Sequence, residues 1–475
     1  MSQRFAPNLV RVFAIVLVSA VTSFLAHART RPHYGGTLRI EVESDPMQRP
    51  GGIARRLIFD GLTRIDAQGN VNPALAMRWS SENSGHRWQF WLRSGVTFHN
   101  GHPLNGQAVV ASLDETCRIT PCLWTAIRNL GQSVVFTSDN PIPDLPSLLA
   151  SSQFLIQQTS WVEGSATPVV AGTGPFRVKD QNASALHLEA NDDCWQGRPF
   201  LDSIEMDTID PHRSTRDQWR DQWMDIALGK TDLIEVHPAD IRQATQQRLN
   251  LVTSRAVTLL ALEVHNPDLT PQIRASIALA VDRAALYQVI FQKQGELTAS
   301  LLPASLSGYS FLFPTDRDLA HAQALRGGLN PPPLTLAVDG TGAMQLAAER
   351  LALNLHDAGF TVRVIPLASN GNLPPRADLV LRSISSPAAA PAETLEALLR
   401  SFNPSASLIQ PSGQGPTAIY KAERDFLDRH SVIPLLYLPR AWAVSARVRD
   451  LFLTAEGVPD LANLSLASNT NETAP

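Results

Sequence analysis

Few residues in this chain stand at spacings that could carry covalent chemistry. There is no Gly-x-Ser-x-Gly turn to present a nucleophile, no His-Glu-x-x-His pair to hold zinc and no Gly-x-x-x-x-Gly-Lys loop to cradle phosphates. Carboxylates are plentiful, but their spacing defines no acid/base pair. An enzyme is therefore not expected, and a hydrolase would need a Ser or Cys constellation that the residue order does not display. The three cysteines, Cys117, Cys122 and Cys194, fit none of the standard four-ligand zinc spacings. An oxidising compartment would allow one disulfide and one left-over thiol, with Cys117 and Cys122 the local choice. His99 precedes Asn100-Gly101 and reads as a turn residue with a local hydrogen bond, because no second histidine or carboxylate stands beside it at helical or strand spacing. Neither a metal nor a cofactor is expected.

What remains is the chemistry of recognition. Trp161, Tyr437 and Trp442 are aromatic candidates for stacking on a ligand, with core packing as the competing reading of each. Trp88 and Trp91 fall on opposite faces of one strand, so at most one of them lines a cleft. Gly172-Thr173-Gly174 could be taken for a phosphate turn, but Pro175 removes a backbone donor where a helix start would need one. The better reading is a tight crossing between lobes that needs glycine's backbone freedom and offers backbone groups to a ligand. Asp282-Arg283 follows an apolar helical face and reads as a structural charged pair.

The elements that must position these residues follow from periodicity. Thr37 to Val42 alternates as a strand with one buried face and ends at the turn Ser44-Asp45-Pro46. Ile53, Leu57 and Ile58 have helical spacing before Gly61, and Gln68-Gly69-Asn70 is a hairpin turn. Trp88, Phe90 and Leu92 define a second strand, and Asn105 caps a helix from Gln107 to Thr116. The three prolines between Asp139 and Pro146 predict a loop. One helix is expected from Ile273 to Phe291, with Pro271 near its entrance. Strand Leu334 to Val338, helix Met344 to Ala358 and strand Thr361 to Ile365 form a βαβ unit, which implies parallel pairing. Ser383 to Pro391 reads as loop, Ile419 to Arg429 as the last good helix and Ile433 to Val444 as the last substantial strand region.

A length of 475 residues suggests about three structural units. Hydrophobic residues at 44% and charged residues at 18% supply enough apolar material for packed cores, unlike a disordered chain. The formal net charge of -4 and the scattered basic residues leave no electrostatic footprint for nucleic acid. At the amino terminus Arg4 and Arg11 precede the uncharged run Val12 to Leu25 and the small residues of Ala26-His27-Ala28. That pattern predicts a secretory signal, residues 1–28, and a periplasmic protein, with an uncleaved amino-terminal anchor as the alternative. The run is shorter than the ~20 residues of a spanning helix.

Several blocks of this sequence resemble the family 5 extracellular solute-binding proteins, receptors of ABC importers for oligopeptides, dipeptides and nickel complexes. They are Gly35-Gly36-Thr37-Leu38-Arg39, Leu57 to Leu62, Asn72 to Ala76 with Trp79, and Trp88 to Gly101. Further on come Gly172 to Phe176, Leu188 to Asn191 with Trp195, and Ile273 to Arg283. They keep the family's order from Gly35 to about Val448. The resemblance implies an α/β, two-lobed periplasmic-binding-protein-like fold of the three-domain, peptide-receptor type, with mixed sheets and flanking helices. It places lobe I in residues 33–58, 168–262 and 435–466, domain II in 59–167 and lobe III in 263–434, with a disordered tail at 467–475. It implies a monomer that closes by hinge bending on a small-molecule or peptide ligand and delivers it to an inner-membrane ABC permease. The ligand-facing residues expected on this basis are Glu43, Ser44, Asp45, Trp161, Thr173, Gly174, Asn266, Arg382, Ser385, Tyr437 and Trp442.

Two departures bear on the ligand. Peptide-binding members hold the ligand's amine with an aspartate that follows a strand, whereas here the matching stretch, Asp378 to Ser386, ends in serines. A buried ammonium without a counter-charge is costly, so capture of a free amine at that place is not expected. Arg382 in the same stretch could instead meet a carboxylate or phosphate, with a salt bridge as the competing reading. The segment from Asp45 to Ile53 is also shorter than the family's loop at the cleft. A divergent exported scaffold or accessory protein that kept the fold and lost ligand transport is the alternative reading.

Overall fold

The computed structural model describes residues 33–42, 45–47, 52–66, 70–119, 122–160, 169–209, 215–307, 313–328, 331–338, 342–367, 377–386, 391–402 and 416–467. The expected signal segment, the Gln68-Gly69 turn positions and nearly all of the expected tail lie outside these residues. An 11-stranded sheet runs through two lobes, and a separate four-stranded sheet forms the third body.

In lobe I the strand Thr37–Val42 buries Leu38, Ile40 and Val42, as its alternation predicts. It pairs in parallel with Ser203–Thr208 on one side and Leu233–Val236 on the other. The antiparallel strands Ala185–Ala190 and Phe176–Gln181 complete that edge. Asp232, fully buried, fastens the lobe together: its carboxylate accepts from Arg39 N at 2.9 Å, Ser445 Oγ at 2.8 Å and the Arg447 guanidinium at 2.5 and 2.6 Å. Arg447 also reaches Thr37 O at 2.7 Å, so one ion pair joins three distant chain segments.

Domain II is built on Arg87–Leu92, which buries Trp88, Phe90 and Leu92 on alternate positions. Helix Gly106–Ile119 packs Val109 and Leu113 into the same core. Asn105 caps it as expected, its side chain accepting from Ala108 N at 2.9 Å. Cys117 and Cys122 form the disulfide, and Cys194 is a buried free thiol. The loop expected from Asp139 to Pro146 stops short at its end, because Leu145–Leu149 is helical. Pro146 is tolerated in the first turn, where its missing N–H costs no helical bond, and Asp144 caps that turn by accepting from Ser147 N at 3.1 Å. The helix expected near Ile53 is a single turn, Arg55–Ile58.

Lobe III contains the expected βαβ unit: Leu334–Val338 and Val362–Pro366 pair in parallel around helix Ala343–Asp357. The single helix expected from Ile273 to Phe291 is instead broken. Pro271–Ala280 ends at Val281, whose ψ of 125° is extended, and Asp282 starts a second segment by capping Ala285 N at 2.8 Å. Asp282 is thus a cap, and Arg283 is buried with its Nε donating to Pro434 O at 2.8 Å. Burial pulls the Arg283 guanidinium down to about 10. The stretch from Ser383 to Ser385 continues the strand Leu379–Ser385, and Pro391 begins helix Pro391–Phe402, so the expected loop is narrower at both ends. Two apolar layers cover this half of the sheet, one around Leu260, Leu262 and Leu351 and the other around Leu259, Leu398 and Phe426.

Two long antiparallel strands, Leu251–Val264 and Val432–Val444, join the lobes. Their pairing shifts register between Thr253 and Thr258 and again between Leu260 and Ala261. Pro439 faces Ala256 and Pro434 faces Ala261, so both prolines sit where a shifted ladder does not need an N–H. Leu259 to Leu262 and Leu435 to Leu438 pack in the lobe III cores, which puts the crossing at the irregular stretch Ser254 to Val257 opposite Pro439-Arg440.

Candidate functional site

The registers fix where a cleft must open. In lobe I the parallel strands end at Val42, Thr208 and Val236, and Val236 pairs with Ala441 on the lobe III side of that sheet. In lobe III the parallel strands end at Val338, Pro366 and Ser385, and Ser385 pairs with Thr258 beside the crossing. The carboxyl ends of both sets of strands therefore face the same irregular crossing from opposite sides. Ligands of open α/β sheets bind outside the carboxyl ends of strands, so the gap at this crossing is the candidate site among the described residues.

Of the expected ligand-facing residues, Asp45 and Ser385 lie near these strand ends. Asp45 follows the end of Thr37–Val42 and is exposed, its Oδ1 accepting from Met47 N at 2.9 Å. Ser385 is exposed at the end of its strand. Glu43, Ser44 and Trp161 lie outside the described residues.

The other expected residues are each engaged with the protein's own groups. Tyr437 is 1% exposed, and its hydroxyl donates to Leu301 O inside lobe III. Burial and the nearby Glu423 carboxylate raise its pKa. Trp442 is equally buried in lobe I, its indole N–H donating to Gly457 O at 3.2 Å. Arg382 gives its Nε to the buried Glu263 and its Nη2 to Ser401 O at 2.8 Å, so two of its three nitrogens are held within lobe III. Glu263 also meets His265 Nε2 at 2.7 Å. Asn266 lies beyond Val264, at the end of the sheet away from the crossing, with its side chain donating to Asp378 at 2.6 Å. Each is a case of a polar or aromatic group satisfied by the protein itself, which sequence spacing alone does not reveal.

Thr173 and Gly174 take part in the second crossing, between lobe I and domain II. Gly174 N donates to Ile58 O at 3.0 Å, and His99 N donates to Gly172 O at 2.8 Å. A Cβ on Gly172 would stand 1.8 Å from Ile58 O, and one on Gly174 would stand 2.4 Å from Leu57 O. Only glycine lets these backbones touch, so the structural-crossing reading fits the contacts. Thr173 is fully buried and donates to Asp60 Oδ2 at 2.8 Å. Trp195 Nε1 and Gln196 Nε2 complete the ring around Asp60 at 2.9 and 3.1 Å. Burial raises the Asp60 pKa, with Trp195, Thr173 and Arg64 opposing it. His99 is not bonded locally, as its turn position suggests; Nε2 pairs with Gly174 O at 3.0 Å, 75 residues away. Burial lowers its pKa, opposed by the Gly174 carbonyl. Among the described residues no group of three or more His, Cys, Asp or Glu could hold a metal ion.

Sequence reasoning missed the charged groups at the main crossing. Arg255 is exposed on the irregular stretch, and Arg440 Nε pairs with Glu235 Oε1 at 2.7 Å. Burial depresses the Arg440 guanidinium, but the Glu235 and Glu456 carboxylates together outweigh it and the pKa is raised. The signal available in the sequence was Leu438-Pro439-Arg440, a proline and a charge interrupting an apolar strand.

Two lobes joined by a pair of long strands, with strand ends converging on the joint, define a periplasmic-binding-protein-like receptor fold. The model for "Bacterial extracellular solute-binding proteins, family 5 Middle" matches residues 70–405, and the chain belongs to that family. The DppA periplasmic binding protein of Helicobacter pylori, solved with the peptide STSA, superposes with a TM-score of 0.75 at 18% identity, covering 91% of this chain and 98% of that one. NikA of Staphylococcus aureus, solved with Ni(L-His)2, gives 0.73 at 17% identity, covering 89% and 97%. A probable di/tripeptide-binding protein 5 of Pseudomonas aeruginosa (strain UCBPP-PA14) is 24% identical over 356 residues, 65% of this chain and 67% of that protein. The HTH-type transcriptional regulator SgrR of Pectobacterium atrosepticum is 32% identical over 183 residues, which are 36% of this chain and only 32% of the regulator's length. The family and fold are those of substrate-binding receptors, and among the described residues no helix is long and apolar enough to cross a membrane.

Proposed function

We propose that the protein is an exported, periplasmic receptor that closes lobe I and lobe III on a peptide-like or other small organic ligand and presents it to an ABC permease. The observation that carries this reading is the convergence of six strand carboxyl ends on one irregular two-strand joint. Such a joint absorbs backbone rotation, and strand ends supply N–H and C=O groups that recognise a ligand's backbone with little regard to its side chains. Ser385 stands exposed at the lobe III wall, and no carboxylate of its strand, Leu379–Ser385, reaches the site. The ligand is therefore one that does not depend on a buried ammonium contact at that wall.

Native mass spectrometry of the protein purified from an exporting host tests this, followed by thermal melts with peptides, amino acids and metal chelates. A ligand that binds the folded state must raise the melting temperature, by the equivalent of about 2.7 kcal/mol at a hundredfold excess over Kd. No carried ligand and no shift across the panel would remove the receptor reading. The internal satisfaction of Arg382, Tyr437 and Trp442 favours one rival, a scaffold that kept the fold and lost the ligand. Small-angle scattering separates the two, since a receptor compacts when its ligand is added and a rigid scaffold does not.

A further inference from the structure

The carboxyl-terminal hairpin places its tip on the joint between the lobes. Leu453 bridges Pro459, Thr454 N bonds Val458 O at 2.8 Å, and Gly457 turns the chain with a φ of 75°. A Cβ on Gly457 would lie 2.9 Å from Ser254 Oγ, 3.1 Å from Val257 Cγ2 and 3.2 Å from Arg440 Cβ. Those three residues come from both joining strands and all sit in the stretch where the register slips. Ser254 is itself engaged, accepting from Arg440 N at 2.9 Å, and Gly457 O receives the Trp442 indole of the lobe I core. One residue earlier, Glu456 pairs with Arg56 at 3.2 Å, and the same guanidinium donates to Ala150 O of domain II at 3.3 Å. Glu456 also adds to the field that holds Arg440 charged. A five-residue turn thus touches the joint, the lobe I core and, through Arg56, domain II.

Bending of the joint requires Ser254 to Val257 and Pro439-Arg440 to change backbone angles, since the regular ladders on either side are fixed by paired strands. The tip fills the space against that stretch without room for a methyl group. We propose that the turn Thr454–Val458 is a hinge brace: its Gly457 face packs on the joint, Glu456 anchors it through Arg56, and its fit sets the balance between open and closed lobes. The brace rests on the closure reading above, and it acts without touching ligand. A change at the tip alters apparent affinity only by changing how often the binding-competent arrangement is populated.

The test uses the full chain with spin labels at Lys179→Cys in lobe I and Glu349→Cys in lobe III, both exposed sites, and measures the inter-lobe distance distribution with no ligand added. Glu456→Gln removes the anchoring charge at nearly constant shape, and Gly457→Ala crowds the joint while straining a turn that holds a φ of 75°. Each should shift the open-to-closed ratio on the order of tenfold, within the usual range of coupling between distant sites. Phe452→Ser, on the exposed side of the same hairpin, should leave the distribution unchanged. An unaltered distribution in Glu456→Gln and Gly457→Ala, with normal melting, overturns the brace even if a ligand is found. The same shift in Phe452→Ser also overturns it, because the hairpin would then be acting only through general loosening. If Gly457→Ala does not fold, Glu456→Gln decides alone. A shift in the two tip variants without any ligand from the panel keeps the brace and removes the receptor reading.

Discussion

Substituting Gly172 by alanine tests whether the lobe I to domain II crossing depends on contact between two backbones. The added Cβ would sit 1.8 Å from Ile58 O, 2.6 Å from Ile58 C and 2.7 Å from the Phe59 ring. An ordinary contact needs about 3.4 Å or more, and the atom nearest the new methyl belongs to main chain, which cannot rotate aside. Ile58 ends the short helix Arg55–Ile58, and its carbonyl already accepts from Gly174 N at 3.0 Å. Relief therefore means separating the two backbone segments and losing that bond, together with the His99 N to Gly172 O bond at 2.8 Å. Overpacking costs about 1–3 kcal/mol where side chains can yield, and each lost hydrogen bond adds about 1 kcal/mol. The expected loss is about 4 kcal/mol, which at roughly 2–4 °C per kcal/mol is a fall of about 8–16 °C in Tm. Gly328→Ala is the control, since a Cβ there meets nothing within 4 Å; it should be neutral or slightly stabilising. Circular dichroism melts of the two variants decide the matter. A Gly172→Ala protein that melts within about 1 °C of the parent would show that the crossing is looser than these contacts require.

Asp232→Ala strands Arg447 beside two severed donors, and the loss of one partner from a buried pair predicts a fall of about 3 kcal/mol in urea unfolding. Tyr437→Phe removes the hydroxyl that donates to Leu301 O and should cost about 1 kcal/mol while leaving ligand affinity unchanged; a large affinity loss at constant stability would place Tyr437 in the ligand site. Paired Cys117→Ser and Cys122→Ser changes open a loop of sequence separation 5 and should cost about 2 kcal/mol in a chemical unfolding series, with no new free thiol counted in the parent under oxidising conditions. Asp60 has a raised pKa in the folded state, so the folded protein holds its proton more tightly than the unfolded chain. The stability this gives is fully present below the unfolded value near 3.8 and is lost as pH rises from there through the raised folded value. The stability of the parent relative to Asp60→Asn should therefore decline across the window just above pH 3.8, and a difference that grows with pH would contradict the burial argument.

The elements with strict local signals were legible in the sequence. Thr37–Val42 and Arg87–Leu92 appear where period-two alternation puts them, and Asn105 caps its helix, because these features depend on neighbours within a few residues. The misreadings fall where a tertiary contact overrides the local pattern. Apolar spacing from Ile273 to Phe291 continues smoothly through Asp282, yet the chain kinks there so that Asp282 can cap and Arg283 can reach Pro434 O. Ser383 to Ser385 have loop-like composition, but pairing with Thr258 to Leu260 holds them in the sheet.

The candidate site was legible in outline and not in its lining, for a related reason. A residue type says what a side chain can bond, not whether the fold has already supplied a partner. Arg382 and Tyr437 offer chemistry that Glu263 and Leu301 take up within the fold, and Asn266 meets Asp378 at the end of the sheet away from the joint. The joint carries the opposite lesson. Pro434 and Pro439 inside an apolar strand are anomalies in a regular sheet, and each marks a position where the ladder slips. Under the proposed closure those departures from strand chemistry are where bending would be absorbed, so irregular residues in otherwise regular elements mark the joint better than the reactive side chains do.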